Sequence, residues 1–286
     1  MSFSGAFKKN IYLTKEFAEF CNKVTGADLV KKNGFFILGN KAVAISNYDS
    51  KQRRWFKKNK INYMAVLPKL NKINPSFMEY SIFSKKSYEA AFKNYKKSFR
   101  KHLKQGRNFP YKIRIIKKLD EKILDKVYPV YVRLMKRHNS YIFPRSFFRE
   151  YMKLPSSLLF LIEHRGVIAA YSFCFENKDN LYNSFGGGNP KYFKYRCVNV
   201  LYDERIKYAC KRGMNIHAGI GVHGSGYNRF KADAGIEHYK CERFPDDAGK
   251  LRFAVWLSKC KLIGWIWCLL SKIFPKKLVY TIIPFT

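Results

Sequence analysis

Acidic residues are scarce in this sequence. Its 286 residues include only 20 Asp and Glu against 56 Lys and Arg, which gives a formal net charge of +36. A low-GC coding bias would enrich Lys, but it does not account for the shortage of acidic side chains. Such an excess of positive charge concentrates anions near the surface. We therefore expect an anionic partner: nucleic acid such as tRNA, a phosphorylated cofactor or an anionic lipid leaflet.

Paired cysteines and long apolar runs are also missing. The seven cysteines are scattered and none forms a C-x-x-C pair, so neither a disulfide framework nor a zinc site is expected, and no metal is predicted. Residues 1–9 contain too short an apolar stretch for a signal peptide, which favours a cytoplasmic protein. A disordered chain is excluded because 17% of the residues are aromatic.

The sequence lacks a nucleotide-binding fingerprint, but it contains a run of glycines. There is neither a P-loop nor a dinucleotide-binding motif. Instead Gly186, Gly187 and Gly188 follow a predicted strand and precede a helix predicted from Val198 to Arg212. A bare backbone exposes its N–H groups, and a helix N-terminus favours an anion. The pattern predicts a phosphate-binding loop, and a glycine-rich turn without a ligand is the equal alternative.

Hydrophobic periodicity predicts a mixture of strands and helices. Turn signals at Gly39-Asn40 predict a hairpin, and residues 157–185 predict an antiparallel meander of three strands. Further strands are predicted at 62–68, 112–116 and 215–219, and helices at 87–106, 119–137, 146–154 and 198–212. The fold class predicted is therefore α/β with a mixed sheet.

Several sequence pieces in a fixed order carry a resemblance to a known family. A basic helix at 97–103 comes first, followed by the helix end 131–138 and a hairpin at 159–170. Residues 187–192, the helix residues 199–202, and 219–221 leading to 229–235 complete the series. Residues 98–244 together resemble the Fem-like branch of the GNAT acetyltransferase superfamily, which includes the peptidoglycan-bridge aminoacyltransferases.

The resemblance implies a GNAT-like fold in which a parallel strand pair splays apart and admits an activated acyl donor. Residues 111–250 would form the acyltransferase half. Residues 1–110 are compatible with a degenerate first copy, so a tandem of two GNAT-like halves is an open possibility. Residues 251–286 form a separate basic and apolar segment.

The activity implied by the resemblance is transfer of an acyl or aminoacyl group to an amine or hydroxyl of a cell-envelope or lipid-linked acceptor. The donor would be an acyl-CoA or an aminoacyl-tRNA. The usual coenzyme A signature is not evident at the start of the 198–212 helix, and no long heptad stretch is present. A different class of function stays open: a non-catalytic basic module that binds nucleic acid or anionic membrane.

Candidate site residues follow from the motifs of the resemblance. Lys231 matches the family's Phe-Lys position, where a lysine meets donor phosphate or the developing oxyanion, and His223 is the candidate general base because its ordinary pKa is near neutral. His217 is interpreted as a core histidine. The candidates for donor binding are Gly186, Gly187, Gly188, Asn189, Lys191, Lys194, Tyr195 and Asn199. The candidates for acceptor binding are Arg100, Arg137, His138 and Tyr202.

The C-terminal segment has a composition of its own. Residues 262–270 are apolar and include two tryptophans, with lysines on both sides. The run is far short of the ~20 residues that span a bilayer. Tryptophans flanked by lysines suit a helix in the membrane interface, so peripheral binding to an anionic inner leaflet is one hypothesis. A terminal helix that covers the core is the other.

Overall fold

The computed structural model describes residues 10–39, 41–47, 50–66, 78–84, 86–118, 120–138, 140, 142–222 and 224–244. The predicted segment 251–286 and His223 lie outside the described residues. The helices are α1 (Lys15–Thr25), α2 (Ser50–Lys58), α3 (Tyr88–Lys93), α4 (Lys97–Arg107), α5 (Glu121–Arg137), α6 (Arg145–Met152), α7 (Cys197–Arg212) and α8 (Gly226–Asp233). The strands are β1 (Leu29–Lys32), β2 (Phe35–Leu38), β3 (Lys41–Asn47), β4 (Asn62–Val66), β5 (Met78–Phe83), β6 (Lys112–Ile116), β7 (Ser157–His164), β8 (Val167–Glu176), β9 (Asn180–Gly188), β10 (Asn215–Val222) and β11 (Glu237–Phe244).

The eleven strands form one mixed sheet in the order β1-β2-β3-β4-β11-β5-β10-β9-β8-β7-β6. Two neighbouring pairs are parallel, β3 with β4 and β9 with β10, and the others are antiparallel. The hairpin predicted at Gly39-Asn40 and the meander of β7, β8 and β9 are confirmed. This is the mixed α/β architecture that the sequence predicts.

Hydrophobic side chains cover both faces of the part of the sheet that contains β7, β8 and β9. Along β7, Leu158, Phe160 and Ile162 pack on the face covered by α4 and α7, and the residues between them face the opposite way. Because successive side chains of a strand point to opposite faces, a continuous apolar run predicts a strand buried on both sides. The second face is covered by α1, α5 and α6.

The first segment (residues 1–110) and the second segment (residues 111–250) share one succession of strands and helix. β1, β2 and β3 are antiparallel, then α2 crosses to the parallel strand β4. In the same way β7, β8 and β9 are antiparallel, and α7 crosses to the parallel strand β10. β5, which comes from the first 110 residues, pairs with both β10 and β11. The two segments therefore share one sheet.

The single helix predicted at 87–106 is wrong, because the chain forms two helices there. α3 ends at Lys93 and α4 begins at Lys97, after an extended residue, Lys96. The Lys96 N–H donates to the carbonyl of Asp233 at 2.9 Å instead of continuing a helix. Gly106 is not the cap either, since α4 ends at Arg107; a Cβ at Gly106 would lie 2.6 Å from a methyl group of Val200. Tertiary contacts explain both features.

The glycine loop predicted after a strand ending at Phe185 is also corrected. Gly186, Gly187 and Gly188 are the last residues of β9 and pair with Ser172, Tyr171 and Ala170 of β8. A 3-10 helix, Pro190–Tyr195, then separates the glycines from α7. The run is therefore paired strand and not a phosphate-binding turn of the strand–loop–helix type.

Candidate functional site

The parallel strands β9 and β10 separate in the middle of the sheet. Their pairing covers only Asn180–Tyr182 of β9 and Asn215–His217 of β10. Beyond it, residues 183–188 and 218–222 run on without pairing to each other, and we call this region the splay. β10 also has an irregularity between His217 and Ile220, where Gly219 adopts a φ of +75°. A non-glycine residue is strained in that region of φ, so the sequence needs glycine at this point.

Lys231 of α8 lies on the β10 side of the splay. Its side chain is completely buried, at 0% exposure. The ammonium Nζ donates to the Ser81 hydroxyl at 3.1 Å and to the Gly219 carbonyl at 3.4 Å. Burial, with Arg205 nearby, lowers the pKa of Lys231 from 10.5 to about 7. A buried lysine with this pKa is a functional candidate because both protonation states are accessible near neutrality.

Arg205 of α7 lies on the β9 side of the splay. It is 3% exposed, and its Nη1 donates to the Ser172 hydroxyl at 3.2 Å and to the side-chain oxygen of Asn183. Its guanidinium carbon lies 4.0 Å from the centre of the Tyr202 ring. Since Leu181 and Ile216 belong to the core under α7, the alternation along β9 and β10 places Asn183 and Ala218 on this same face. The two cations therefore flank one gap.

Tyr202, a predicted acceptor-binding residue, is part of this cluster. Its hydroxyl donates to the hydroxyl of Tyr227 at 2.9 Å, and its ring packs against Phe230. Tyr227 in turn has its ring 4.2 Å from the Lys231 Nζ. A chain of contacts thus runs from Arg205 through Tyr202 and Tyr227 to Lys231.

The glycines lie on the β9 edge of the splay, further along the strand. A Cβ at Gly187 would lie 2.1 Å from Leu134, and one at Gly188 would lie 2.7 Å from both Phe193 and Val198. The absence of side chains therefore lets α5 and the start of α7 approach the strand closely. This close packing explains why glycine is needed at these positions, which the sequence alone did not show. A role of the glycines in donor binding stays a prediction.

The other residues predicted to bind the donor surround the 3-10 helix. Asn189 is buried and caps that helix: its side-chain oxygen accepts from the Lys191 N–H and its amide donates to the Ile168 carbonyl. Asn199 is buried in the first turn of α7. Lys191 and Lys194 are exposed, and the Lys194 ammonium lies over the Tyr195 ring. Tyr195 stacks on Phe109. These contacts form a basic and aromatic patch beside Gly188.

The remaining acceptor candidates lie on the surface. Arg100 is exposed on α4, and His138 is the exposed residue that ends α5. Arg137 is exposed and stacks over Phe193, which brings it to the 3-10 helix beside the glycines. None of these three residues contacts Lys231 in the part of the chain that the structure describes, so their acceptor role stays a prediction. His217 is on the opposite face, between Tyr80 and Asn180 and stacked on Tyr182. The interpretation of His217 as a core histidine agrees with these contacts.

Sequence reasoning missed Arg205, Ser81 and Asn183. Arg205 is not among the residues singled out from the sequence, although it follows Tyr202 by three positions on a helix and so shares its face. Ser81 belongs to β5, a strand that the sequence analysis did not predict. In the part of the chain that the structure describes, no group of three or more His, Cys, Asp or Glu side chains could hold a metal ion.

The arrangement suits the stabilisation of negative charge. An electrophilic carbonyl in the splay would lie between a buried lysine and a buried arginine, in a region of low dielectric. Cations fixed there stabilise an oxyanion more strongly than they would in water. Fold and site together indicate an α/β protein of the acyltransferase class.

Comparison with known proteins agrees with that class. The acetyltransferase (GNAT) domain family matches residues 92–240, just over half of the chain. The chain therefore belongs to the acetyltransferase (GNAT) domain family, a family of acyltransferases. No curated protein sequence matches the chain.

Solved structures share the fold at low sequence identity. FemX has a TM-score of 0.60 and 10% identity, over 86% of this chain and 94% of FemX. The C-terminal domain of a putative lysylphosphatidylglycerol synthetase from Agrobacterium fabrum has a TM-score of 0.54 and 12% identity, over 81% of this chain and 88% of that domain. L-PGS from Bacillus licheniformis has a TM-score of 0.50 and 10% identity, over 79% and 90%. These likenesses confirm the predicted GNAT-like fold.

Proposed function

We propose that this chain transfers an acyl or aminoacyl group from an activated donor to an amine or hydroxyl, and that the reaction takes place in the splay between β9 and β10. The observation that carries the proposal is the position of Lys231. This lysine is fully buried, its Nζ bonds the carbonyl of Gly219 on one edge of the splay, and no carboxylate pairs with it among the described residues.

The chemistry would be direct attack on the donor carbonyl. The acceptor nitrogen or oxygen forms a bond to that carbon, and the C–S or C–O bond between the acyl group and the donor breaks. The proton lost by the acceptor passes to the departing thiolate or alkoxide, which leaves as the thiol of coenzyme A or the ribose hydroxyl of tRNA. The protonated Lys231 would stabilise the oxyanion of the tetrahedral intermediate. With a pKa of about 7, Lys231 is partly protonated near neutral pH, so this role is available under physiological conditions.

The donor is either an acyl-CoA or an aminoacyl-tRNA. Membership of the GNAT family favours an acyl-CoA type of donor. An aminoacyl donor is supported by the shared fold of FemX and of the lysylphosphatidylglycerol synthetase domains. The net charge of +36 suits the phosphates of tRNA as well as those of a cofactor.

The acceptor proposed is a cell-envelope or lipid-linked molecule presented at an anionic membrane surface. No helix in the described ranges is long and apolar enough to cross a bilayer. Peripheral binding at the inner face is proposed because the net charge of +36 attracts an anionic leaflet.

The experiment offers the full chain each donor in turn. Labelled acetyl-CoA and charged tRNA are incubated with the protein, with and without vesicles that contain anionic phospholipid, and loss of the acyl group is followed. We expect the wild type to consume one of the donors and Lys231→Met to leave that donor intact. If neither donor is bound or consumed, the enzymatic proposal fails. Tight binding of tRNA or vesicles without turnover would indicate the alternative, a non-catalytic basic module.

A further inference from the structure

Arg205 and Lys231 are both buried, and neither forms an ion pair with an acidic side chain among the described residues; Glu79 acts on Lys231 only through longer-range attraction. Arg205 is 3% exposed and Lys231 is 0% exposed. Their hydrogen-bond partners are all neutral: Ser172 and Asn183 for the arginine, and Ser81 and Gly219 for the lysine. Neither cation forms a salt bridge with any part of the chain that the structure describes.

The contrast with another buried charge in the same core is informative. The buried carboxylate of Asp203 is 0% exposed, and it has both Arg107 at 2.7 Å and Lys207 at 3.2 Å as partners. Removing a charge from water costs several kcal/mol, which is why buried charges are normally paired. Arg205 and Lys231 depart from that rule, and both lie beside the splay.

Arg205 also has a hydrogen-bond donor to spare. Its Nε is buried and has no partner among the described residues. A guanidinium presents its donors in a planar fork that matches the two oxygens of a carboxylate. Nη1 is held by Ser172 and Asn183, so the fork is fixed in orientation before any ligand arrives.

We propose that a carboxylate group of the substrate binds in the splay between Arg205 and Lys231, with the guanidinium of Arg205 as its main partner. This inference deepens the proposed function and rests on it: the substrate class is then one that carries a carboxylate close to its reacting group. A carboxylate fits better than a phosphate, because a monoanion matches one permanently charged arginine beside a lysine whose pKa is about 7.

Because Lys231 lies at the proposed site, carboxylate binding can be detected through the pKa of this lysine, without any turnover. A carboxylate beside Lys231 favours the ammonium form, so it raises the pKa of this group. We would follow the Lys231 Nζ and Cε resonances of the full chain by NMR through a pH titration. Acetate and glycine serve as carboxylate probes, inorganic phosphate as the second arm, and chloride at the same ionic strength as the reference.

We expect acetate and glycine to raise the pKa of Lys231 in the wild type, and Arg205→Gln to weaken their binding by about tenfold or more. Arg212→Gln is the matched control, since Arg212 is an exposed arginine of the same helix that pairs with Glu176. Arg205→Lys, which keeps the charge and loses the fork, serves if Arg205→Gln does not fold; it is expected to bind more weakly than the wild type.

Several results would overturn the inference. These are no response to carboxylates, equal carboxylate binding by the wild type and the Arg205 variants, or a stronger effect of phosphate than of acetate. The failure of the proposed function looks different. Turnover of a donor without any carboxylate binding removes this inference alone, whereas carboxylate binding that depends on Arg205 without turnover of any donor removes the proposed function and keeps the site.

Discussion

The ammonium nitrogen of Lys231 lies 3.1 Å from the hydroxyl oxygen of Ser81, a residue 150 positions earlier in the chain. Ser81 belongs to β5, which the first segment contributes to the sheet between β10 and β11. The first segment therefore supplies one of the two groups that hold the lysine. Because both of its partners are neutral, the charge of Lys231 stays available for a negative charge that develops in the splay.

Burial of Lys231 predicts a specific dependence of stability on pH. The pKa is about 7 in the folded state, against an ordinary value of 10.5. Between these values the unfolded chain holds a proton that the folded chain has lost, so stability rises with pH across that window. Lys231→Met removes the effect. The free energy of unfolding of the wild type relative to Lys231→Met should therefore rise from pH 7 to pH 10, by at most about 1.4 kcal/mol per pH unit.

The matched control for this titration is Lys211→Met, an exposed lysine at the end of α7. This variant shows how much of any change with pH comes from removing an exposed lysine. A difference between the wild type and Lys231→Met that does not change with pH, measured by urea denaturation, would contradict the lowered pKa.

Substitution of Gly219 tests whether the backbone at this position matters for activity as well as for stability. Gly219→Ala introduces a side chain at a φ of +75°, which should cost about 1–2 kcal/mol of stability. It should also displace the carbonyl that holds Lys231 and lower acyl transfer roughly ten- to a hundredfold. Gly213→Ala is the control, because this helix cap has a φ of +65° and lies before the paired residues of β10, at the opposite end of that pairing from the splay. Equal activity of the two variants, at equal stability, would exclude a role for the Gly219 carbonyl.

Close packing of Gly187 against Leu134 predicts a non-additive pair of substitutions. Gly187→Ala should cost about 1–3 kcal/mol by overpacking, since its Cβ would lie 2.1 Å from a Leu134 methyl group. Leu134→Ala alone should cost about 2–5 kcal/mol. The double variant should be more stable than the sum of the two by about 0.5–3 kcal/mol. Gly226→Ala, where nothing lies within 4 Å of the new methyl group, should change stability by less than about 0.5 kcal/mol.

The two aspartates Asp203 and Asp125 should respond very differently to removal. Asp203 is buried and accepts hydrogen bonds from Tyr88 and Tyr95 besides its ion pairs. Asp203→Ala leaves Arg107 without its partner in a partly buried site and should cost about 3–5 kcal/mol. Asp125 pairs with Arg145 on the surface, so Asp125→Ala should cost at most about 1 kcal/mol. Similar losses in chemical denaturation would show that the Asp203 network does not hold α3, α4 and α7 together.

Local sequence signals were sufficient where periodicity and turn residues agree. The β2–β3 hairpin, the meander of β7, β8 and β9, and α7 with its Gly213 cap are all where the pattern predicts them. The break between α3 and α4 was not predictable, because it depends on the contact of Lys96 with Asp233, a residue far away in sequence. The location of β5 between β10 and β11 has the same cause: strand order is set by tertiary pairing.

The same distinction between local signals and tertiary contacts applies to the site residues. Lys231 was found through its resemblance to a family motif, and the structure adds that it is buried at the splay. Arg205 was not recognised, because its three-residue spacing from Tyr202 is a weak signal in a chain with 56 basic residues. Gly186, Gly187 and Gly188 were noticed for the wrong local reason, because they belong to a paired strand and not to a loop.

The rate of acyl transfer by Lys231→Met under single-turnover conditions tests the central claim most directly. Lys231→Met and the control Lys211→Met would be compared with the wild type at saturating donor, after each variant is shown to fold. We predict that Lys231→Met lowers the rate at least about a hundredfold with little change in donor affinity, as expected when an oxyanion-stabilising group is lost. Lys211→Met should keep the wild-type rate. A folded Lys231→Met that transfers the acyl group at the wild-type rate would contradict the account.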